Sequence, residues 1–193
     1  MKMGIRGLMI MSLIACAGGA LASTVPRASE CQRAAQAFLA TPTKSNMAAL
    51  RVGDGSQCWQ AIGGSNANLG ELLRSVRRGN FWAASYLAAN VKALDGGNLE
   101  DSLVALGKFS DVDMENFLLF SQKGFISTQE LDNALTMLPL SMSDDQAAQL
   151  SAMEIRAKNV ENVTRMDLSE QKVLALKAIE RFIAEIKAAK SER

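Results

Sequence analysis

The sequence predicts an all-α protein, an irregular bundle of short helices that is closed by a long C-terminal helical hairpin. Three observations favour this class. No segment alternates apolar and polar residues with the β-branched enrichment that is typical of a strand. Residues that commonly cap helix N-termini recur along the chain, and glycines stand where apolar stripes stop. Apolar residues in the middle and C-terminal segments recur at helical spacing, and 193 residues make up one domain.

Helical periodicity and cap residues together predict ten helices. They cover residues 30–40, 45–52, 57–62, 69–78, 81–94, 99–106, 112–123, 128–138, 144–164 and 168–190. Four starts have the spacing of a capping box: Ser29 with Gln32, Asn68 with Glu71, Ser127 with Glu130, and Ser143 with Gln146. Helix ends are expected at a left-handed glycine or before a proline: Gly53, Gly79, Gly107, Gly124 and Pro139.

The last two predicted helices are the longest, and each carries one apolar stripe. The first stripe is Leu150, Met153, Ala157 and Val160, and the second is Leu176, Ile179, Ile183 and Ile186. Stripes at this spacing are typical of two antiparallel helices that bury each other. We therefore expect a hairpin here rather than a coiled coil with a partner chain.

The N-terminus has the pattern of an export signal. Lys2 and Arg6 precede an apolar stretch over residues 8–17, and Ala20-Leu21-Ala22 supplies a small-residue cleavage site. The apolar stretch is too short to cross a bilayer, which takes about 20 residues. We expect residues 1–22 to be removed as a signal peptide, leaving one α-helical domain over residues 30–193.

A second interpretation of the leader remains open. Leu13-Ile14-Ala15-Cys16 resembles a bacterial lipobox, in which Cys16 is acylated and becomes the new N-terminus. Residues 1–15 would then be removed, and residues 16–29 would form a tether to the membrane. Both interpretations predict a periplasmic protein, either soluble or anchored to the outer membrane by its lipid.

Two further cysteines, Cys31 and Cys58, predict a disulfide bond. An even pair in an oxidising compartment is typical of a structural bridge, and the pair lacks the Cys-x-x-Cys spacing of redox sites. Closing this loop should stabilise the fold by roughly 3–4 kcal/mol. We expect the bridge to join two N-terminal helices.

The composition excludes several chemistries. The chain has no histidine, which excludes His-based acid–base catalysis, Ser-His-Asp and Cys-His triads, and most zinc and haem sites. Its 21 basic and 20 acidic residues give no cationic surplus for nucleic acid. No glutamate lies in a recognisable catalytic motif, and aromatic residues for stacking on sugars make up only 5%. We expect no catalytic residue, no metal site, no cofactor and no nucleic-acid partner.

Charge is unevenly distributed along the chain. Residues 111–150 carry seven carboxylates against one lysine, whereas the flanking segments are weakly basic. Such acids often serve only as helix caps on a solvated face. A one-sided acidic surface can also steer a basic partner and speed its association. The candidate partner-binding residues are Asp111, Asp113, Glu115, Asp144 and Asp145.

These features together resemble a known family. They are the leader with Cys16 or Ala22, the Cys31/Cys58 pair, and the helical run from Asn68 to Pro139 with its segments Gly79-Asn80-Phe81-Trp82-Ala83-Ala84 and Leu103-Val104-Ala105-Leu106-Gly107. The chain is similar to helical periplasmic immunity proteins that protect bacteria against toxins of type IV and type VI secretion systems, in particular those that neutralise amidases. The resemblance implies a cognate secreted effector as the partner.

The sequence therefore predicts a non-enzymatic periplasmic binding protein, an inhibitor of a cell-wall-targeting effector. Two alternatives stay open. One is a structural or adaptor lipoprotein of the envelope, whose terminal hairpin packs on a partner helix. The other is a lytic enzyme that acts on peptidoglycan through a carboxylic acid of raised pKa.

Overall fold

A computed structural model describes residues 28–51 and 56–191 of the chain. Within these two ranges the chain forms ten α-helices and no strand, which confirms the predicted all-α class. The helices are α1 (Ala28–Ala40), α2 (Lys44–Ala49), α3 (Ser56–Gly63), α4 (Asn66–Arg77), α5 (Phe81–Asn90), α6 (Gly96–Val112), α7 (Met114–Gln122), α8 (Thr128–Thr136), α9 (Gln146–Glu161) and α10 (Ser169–Ser191). Short 3-10 turns cover Val91–Ala93, Leu140–Met142 and Met166–Leu168. The predicted leader, the lipobox at Cys16 and the expected helix end at Gly53 lie outside the described residues.

The largest error in the predicted boundaries concerns Gly107, which was expected to end a helix. Helix α6 continues through Gly107 to Val112. A Cβ atom at Gly107 would lie 2.2 Å from the carbonyl oxygen of Ala134 in α8. The glycine is therefore needed for the close approach of two helices. From the sequence alone, a glycine at such a contact cannot be told apart from a glycine that ends a helix.

One of the predicted capping boxes is confirmed in full. The backbone N–H of Ser127 donates to Glu130 Oε2 at 2.6 Å, and the N–H of Glu130 donates to Ser127 Oγ at 3.2 Å. The other three predicted caps are wrong. Ser29 lies inside α1, and at the two remaining helices a neighbouring residue is the cap. Ser65 rather than Asn68 caps α4, and Asp145 rather than Ser143 caps α9.

Two of the predicted glycine ends are confirmed. Gly79 follows α4 with a φ of 82°, and Gly124 follows α7 with a φ of 71°. The N–H of Gly79 donates to the carbonyl of Val76 at 2.9 Å, and the N–H of Asn80 donates to that of Ser75 at 3.1 Å. This pair of bonds is a Schellman motif, which satisfies carbonyls that the helix leaves free.

The N-terminal helices pack around a cluster of aromatic rings and the disulfide. Tyr86 of α5 contacts Phe38 of α1 and Trp59 of α3, with ring centroids 5.2 Å and 5.8 Å apart. The sulfur atoms of Cys31 and Cys58 lie 1.97 Å apart and bridge α1 to α3. The predicted disulfide between two N-terminal helices is thereby confirmed.

The predicted C-terminal hairpin is also confirmed. Helix α10 packs along α9 and along α8. Met153 and Val160 of α9 are buried, as are Ile179 and Ile186 of α10. Because these residues belong to the two predicted stripes, the stripes form a mutual core. Within the described ranges, no helix is long and apolar enough to cross a bilayer.

Candidate functional site

A groove runs along one side of α6. Three cavities of about 760, 420 and 240 Å³ follow one another there; the first two share Lys108, and the last two share Asp111. We call these three neighbouring cavities together the α6 groove. Glu100, Val104, Lys108 and Asp111 line it at intervals of three or four residues, so they lie on one face of the helix.

The largest cavity is mainly apolar. It lies between the end of α4, the first half of α6 and the connection from α8 to α9. Its apolar lining consists of Val104, Met137, Leu138, Pro139 and Leu140. The side chain of Leu140 is 91% exposed. A single exposed leucine is common on protein surfaces, but one that borders an apolar cavity is typical of a binding surface.

The middle cavity continues the apolar surface towards α9. Met142, Ala148, Ala152 and Ile155 line it, together with Lys108 and Asp111 of α6. The side chain of Ile155 is 54% exposed. The first cavity therefore has apolar residues on both walls. In the middle cavity the α9 wall is apolar, whereas α6 contributes the charged pair Lys108 and Asp111.

A buried arginine holds the walls of the groove together. The side chain of Arg156 in α9 is only 2% exposed, and its Nε donates to Asp111 Oδ1 at 2.9 Å. Its Nη1 donates to the backbone carbonyls of Ala134 and Leu135, near the C-terminus of α8. A cation is favoured there because the last carbonyls of a helix carry partial negative charge. Arg156 thereby connects α6, α8 and α9.

The third cavity forms the acidic end of the groove. Asp111, Asp113 and Glu115 line it with Asn159 and Asn162 of the α9 end. Three of the five predicted partner-binding residues are thus brought together.

Each of these three carboxylates also has a partner inside the protein. Asp111 binds Arg156 and lies 3.1 Å from Lys108 Nζ. Asp113 caps α7, where it accepts hydrogen bonds from the backbone and side-chain nitrogens of Asn116. Glu115 Oε1 lies 3.8 Å from Arg165 Nη1. Arg165 also donates hydrogen bonds to the neighbouring Asp167, and these lower the pKa of that exposed carboxyl.

The other two predicted residues lie away from this cluster. Asp145 caps α9 by accepting from the N–H of Ala148 at 2.9 Å. Exposed Asp144 borders a different cavity, between the start of α9 and the end of α10. From Asp145 to Asn159 helix α9 rises by about 20 Å. The five residues therefore lie at two ends of α9 rather than in one patch.

The acidic segment is partly neutralised by the basic C-terminal part of the chain. Asp111 pairs with Arg156, and Glu115 lies next to Arg165. Asp132 Oδ1 lies 2.6 Å from Arg181 Nη2 on α10. A count of charges along the sequence does not reveal these pairs, because the two residues of each pair are far apart in the chain. Arg156 is 45 positions from Asp111, and Arg181 is 49 positions from Asp132.

Neither the α6 groove nor the buried Arg156 was predicted from the sequence. A signal for Arg156 was present, since it stands three residues after Met153 and four before Val160, within the apolar stripe of α9. A cation at such a position is buried and needs a carboxylate or carbonyl partner. No comparable signal identified Leu140 as a groove residue.

The described residues contain no group of three or more Cys, Asp or Glu side chains that could hold a metal ion. No protein-family model matches the chain, and no curated protein or solved structure matches it either. The resemblance to immunity proteins stays a prediction. Function is therefore inferred from the α6 groove and the residues around it.

Proposed function

We propose that this protein is an exported, non-enzymatic binding protein that neutralises a cognate antibacterial effector acting on the cell wall. The α6 groove is the observation that carries this proposal. It combines an exposed apolar surface with a small number of charged side chains in its lining, which is typical of binding grooves on helical proteins. An effector segment held in the groove would bring the rest of the bundle against the effector and block access to its active site.

The charges of the groove support a basic partner. Its lining includes the carboxylates of Glu100, Asp101, Asp111, Asp113 and Glu115, and the cations of Arg77 and Lys108. Enzymes that act on an anionic envelope tend to be cationic, and a carboxylate-rich rim attracts them and speeds encounter.

The predicted compartment supports the same partner. An effector that attacks peptidoglycan works in the periplasm, so its inhibitor has to be exported. The leader at residues 1–22 and the Cys31–Cys58 disulfide are both typical of an exported protein.

Binding is favoured over acid–base catalysis by what the groove carboxylates do. Asp113 is a helix cap and Asp111 is the partner of a buried arginine. Both carboxylates therefore have structural roles, since one holds the buried arginine and the other begins a helix, and these roles favour a binding scaffold over a catalytic site.

A co-culture experiment tests the proposal. The gene is deleted in the native bacterium, and the deletion strain is grown on a surface in contact with its parent. We expect the deletion strain to lose viability only on contact, since it no longer neutralises the parent's effector. The full gene should restore survival, and a version that lacks residues 1–22 should not.

Other results would replace the proposal. Equal survival of the deletion strain and the parent, under conditions in which the parent kills unrelated cells, would contradict it. Envelope defects of the deletion strain grown alone would favour the adaptor interpretation. Release of peptidoglycan fragments by the purified protein would make it an enzyme.

A further inference from the structure

We propose that the occupant of the α6 groove is an amphipathic helix of the partner protein, with an apolar stripe between two clusters of Lys or Arg. This inference rests on the proposed function, because it specifies which part of the effector is recognised. It follows from the length of the groove, the position of its apolar residues and the position of its carboxylates.

The carboxylates stand at the two ends of the groove. Glu100 and Asp101 lie near the start of α6, and Asp113 and Glu115 follow its end. From residue 100 to residue 113 a helix rises by about 20 Å. A partner helix of about 13 residues, or between three and four turns, spans this distance and places its two ends beside the two acidic sites.

Between these ends the groove has an apolar surface beside the ion pair of Lys108 and Asp111. Val104 and the exposed Leu140 line the first cavity, and the exposed Ile155 lines the second. Burying a leucine or isoleucine side chain against a partner removes apolar surface from water and stabilises a complex. The apolar stripe of the partner helix would cover these residues.

The occupant is a helix rather than an extended strand. Its own backbone hydrogen bonds are satisfied within the helix, so the groove has to supply only side-chain contacts. An extended peptide usually pairs with a free sheet edge, and the described ranges contain no strand. The walls of the groove, α6 and α9, present side chains at helical spacing.

The ends of the partner helix are basic because carboxylates outnumber cations at both ends of the groove. Glu100 and Asp101 face the single cation Arg77, since Lys108 is paired with Asp111. At the other end, Asp113 and Glu115 lie near the single cation Arg165. Glu100 and Asp101 are exposed and form no ion pair within the described residues. Asp113 is paired only with the neutral Asn116. These carboxylates keep their charge available to a partner, whereas Asp111 is compensated by Arg156. An acidic segment would be repelled at both ends.

Two synthetic peptides serve as probes. Each is a helix of about 15 residues with a leucine stripe; one has two lysines at each end, and the other has glutamates instead. Binding to the purified mature protein is followed by fluorescence anisotropy at low salt. We expect the lysine peptide to bind, and the glutamate peptide to bind about tenfold more weakly or not at all.

A matched pair of variants locates the site. Leu140→Ser should weaken binding of the lysine peptide about tenfold, because the leucine loses its apolar contact. Met166→Ser is the control, since Met166 is 89% exposed in a turn that does not line the groove. Both positions are exposed, so neither variant should alter folding, and circular dichroism checks this.

Several outcomes would overturn the inference. They are equal binding of the two peptides, no binding of either, or the same loss in Met166→Ser as in Leu140→Ser. Self-association that Leu140→Ser abolishes would also overturn it, because a second copy would then occupy the groove. If Leu140→Ser protects cells in co-culture as well as the natural protein does, the groove assignment fails while the proposed function stands.

Discussion

Arg156 of α9 and Asp111 of α6 form an ion pair at the base of the α6 groove. Arg156 Nε lies 2.9 Å from Asp111 Oδ1, and the two side chains are 2% and 23% exposed. The same guanidinium donates to backbone carbonyls of α8. One buried cation therefore fixes the relative positions of three helices, and the groove depends on them.

Replacing Arg156 should destabilise the fold strongly. In Arg156→Met the carboxylate of Asp111 and the carbonyls near the end of α8 lose their donor, and breaking a buried pair costs about 3–5 kcal/mol. We expect the lower end of this range because Asp111 is partly exposed. Urea unfolding measures the difference.

The matched control is Arg181→Met. Arg181 pairs with Asp132, but its side chain is 55% exposed, so its loss should cost far less stability than the loss of Arg156. If Arg156→Met loses no more stability than Arg181→Met, the buried pair does not hold the three helices together.

Gly107 should be intolerant of a side chain for a reason of packing. The Cβ of Gly107→Ala would press on the carbonyl oxygen of Ala134, and separating α6 from α8 should cost about 1–3 kcal/mol. Gly70→Ala is the control, because a Cβ at Gly70 in α4 meets nothing within 4 Å. That variant should gain about 0.5–1 kcal/mol from helix propensity. Thermal unfolding should show a lower melting temperature for Gly107→Ala and a higher one for Gly70→Ala. A higher melting temperature in both variants would exclude the close contact.

The elements that could be predicted from the sequence are those that local signals determine. The Ser127 capping box, the glycine end at Gly79 and the stripe around Ile179 each depend on residues within a few positions of one another. The disulfide could be predicted because two cysteines permit one pairing. These features account for most of the helices and for the C-terminal hairpin.

The parts that could not be predicted depend on contacts between distant residues. Arg156 meets Asp111 across 45 positions, so the acidic excess of residues 111–150 was interpreted as a surface although part of it is paired internally. The role of Gly107 requires knowledge of which helix packs on it. The α6 groove was missed for the same reason, since its walls come from α4, α6, α9 and the connection before α9.

The caps provide a test of local structure. Ser127→Ala removes a side chain that accepts from the N–H of Glu130, and we expect a loss of about 1 kcal/mol. Ser143→Ala should change stability by less than about 0.5 kcal/mol, because Asp145 caps α9 instead. Chemical denaturation of both variants compares them directly. Equal losses would mean that Ser143 also stabilises the start of α9.

Reduction of the disulfide should lower stability by about 3–4 kcal/mol. Cys31 and Cys58 are 27 positions apart, and closing a loop of this length restricts the unfolded chain by about that amount. Urea midpoints are measured with and without a reductant. The variant with both Cys31→Ala and Cys58→Ala is the control and should not respond to the reductant. An unchanged midpoint for the fully reduced natural protein would contradict the stabilising role.

The hydroxyl of Tyr86 should make the fold sensitive to high pH. Tyr86 is 3% exposed, and its hydroxyl has no hydrogen-bond partner in the described structure. Burial raises its pKa from 10.0 to about 12, against a smaller opposing effect of the charge of Arg51. The unfolded chain therefore releases this proton at lower pH than the folded chain does. Because of this difference, the free energy of unfolding is unaffected by the titration of Tyr86 below pH 10. It falls as the pH rises from 10 towards 12, by up to about 1.4 kcal/mol per pH unit.

Tyr86→Phe separates this effect from other groups that titrate in the same range. Below pH 10 the variant should be as stable as the natural protein or more so, because it removes a buried hydroxyl that makes no hydrogen bond. Above pH 10 it should lose less stability than the natural protein. Tyr86 is the single tyrosine of the chain, so ultraviolet absorbance of tyrosinate reports its titration alone. Titration of the folded protein near 10 would show that the hydroxyl is not buried in this way, and parallel stability curves for the two proteins above pH 10 would show the same.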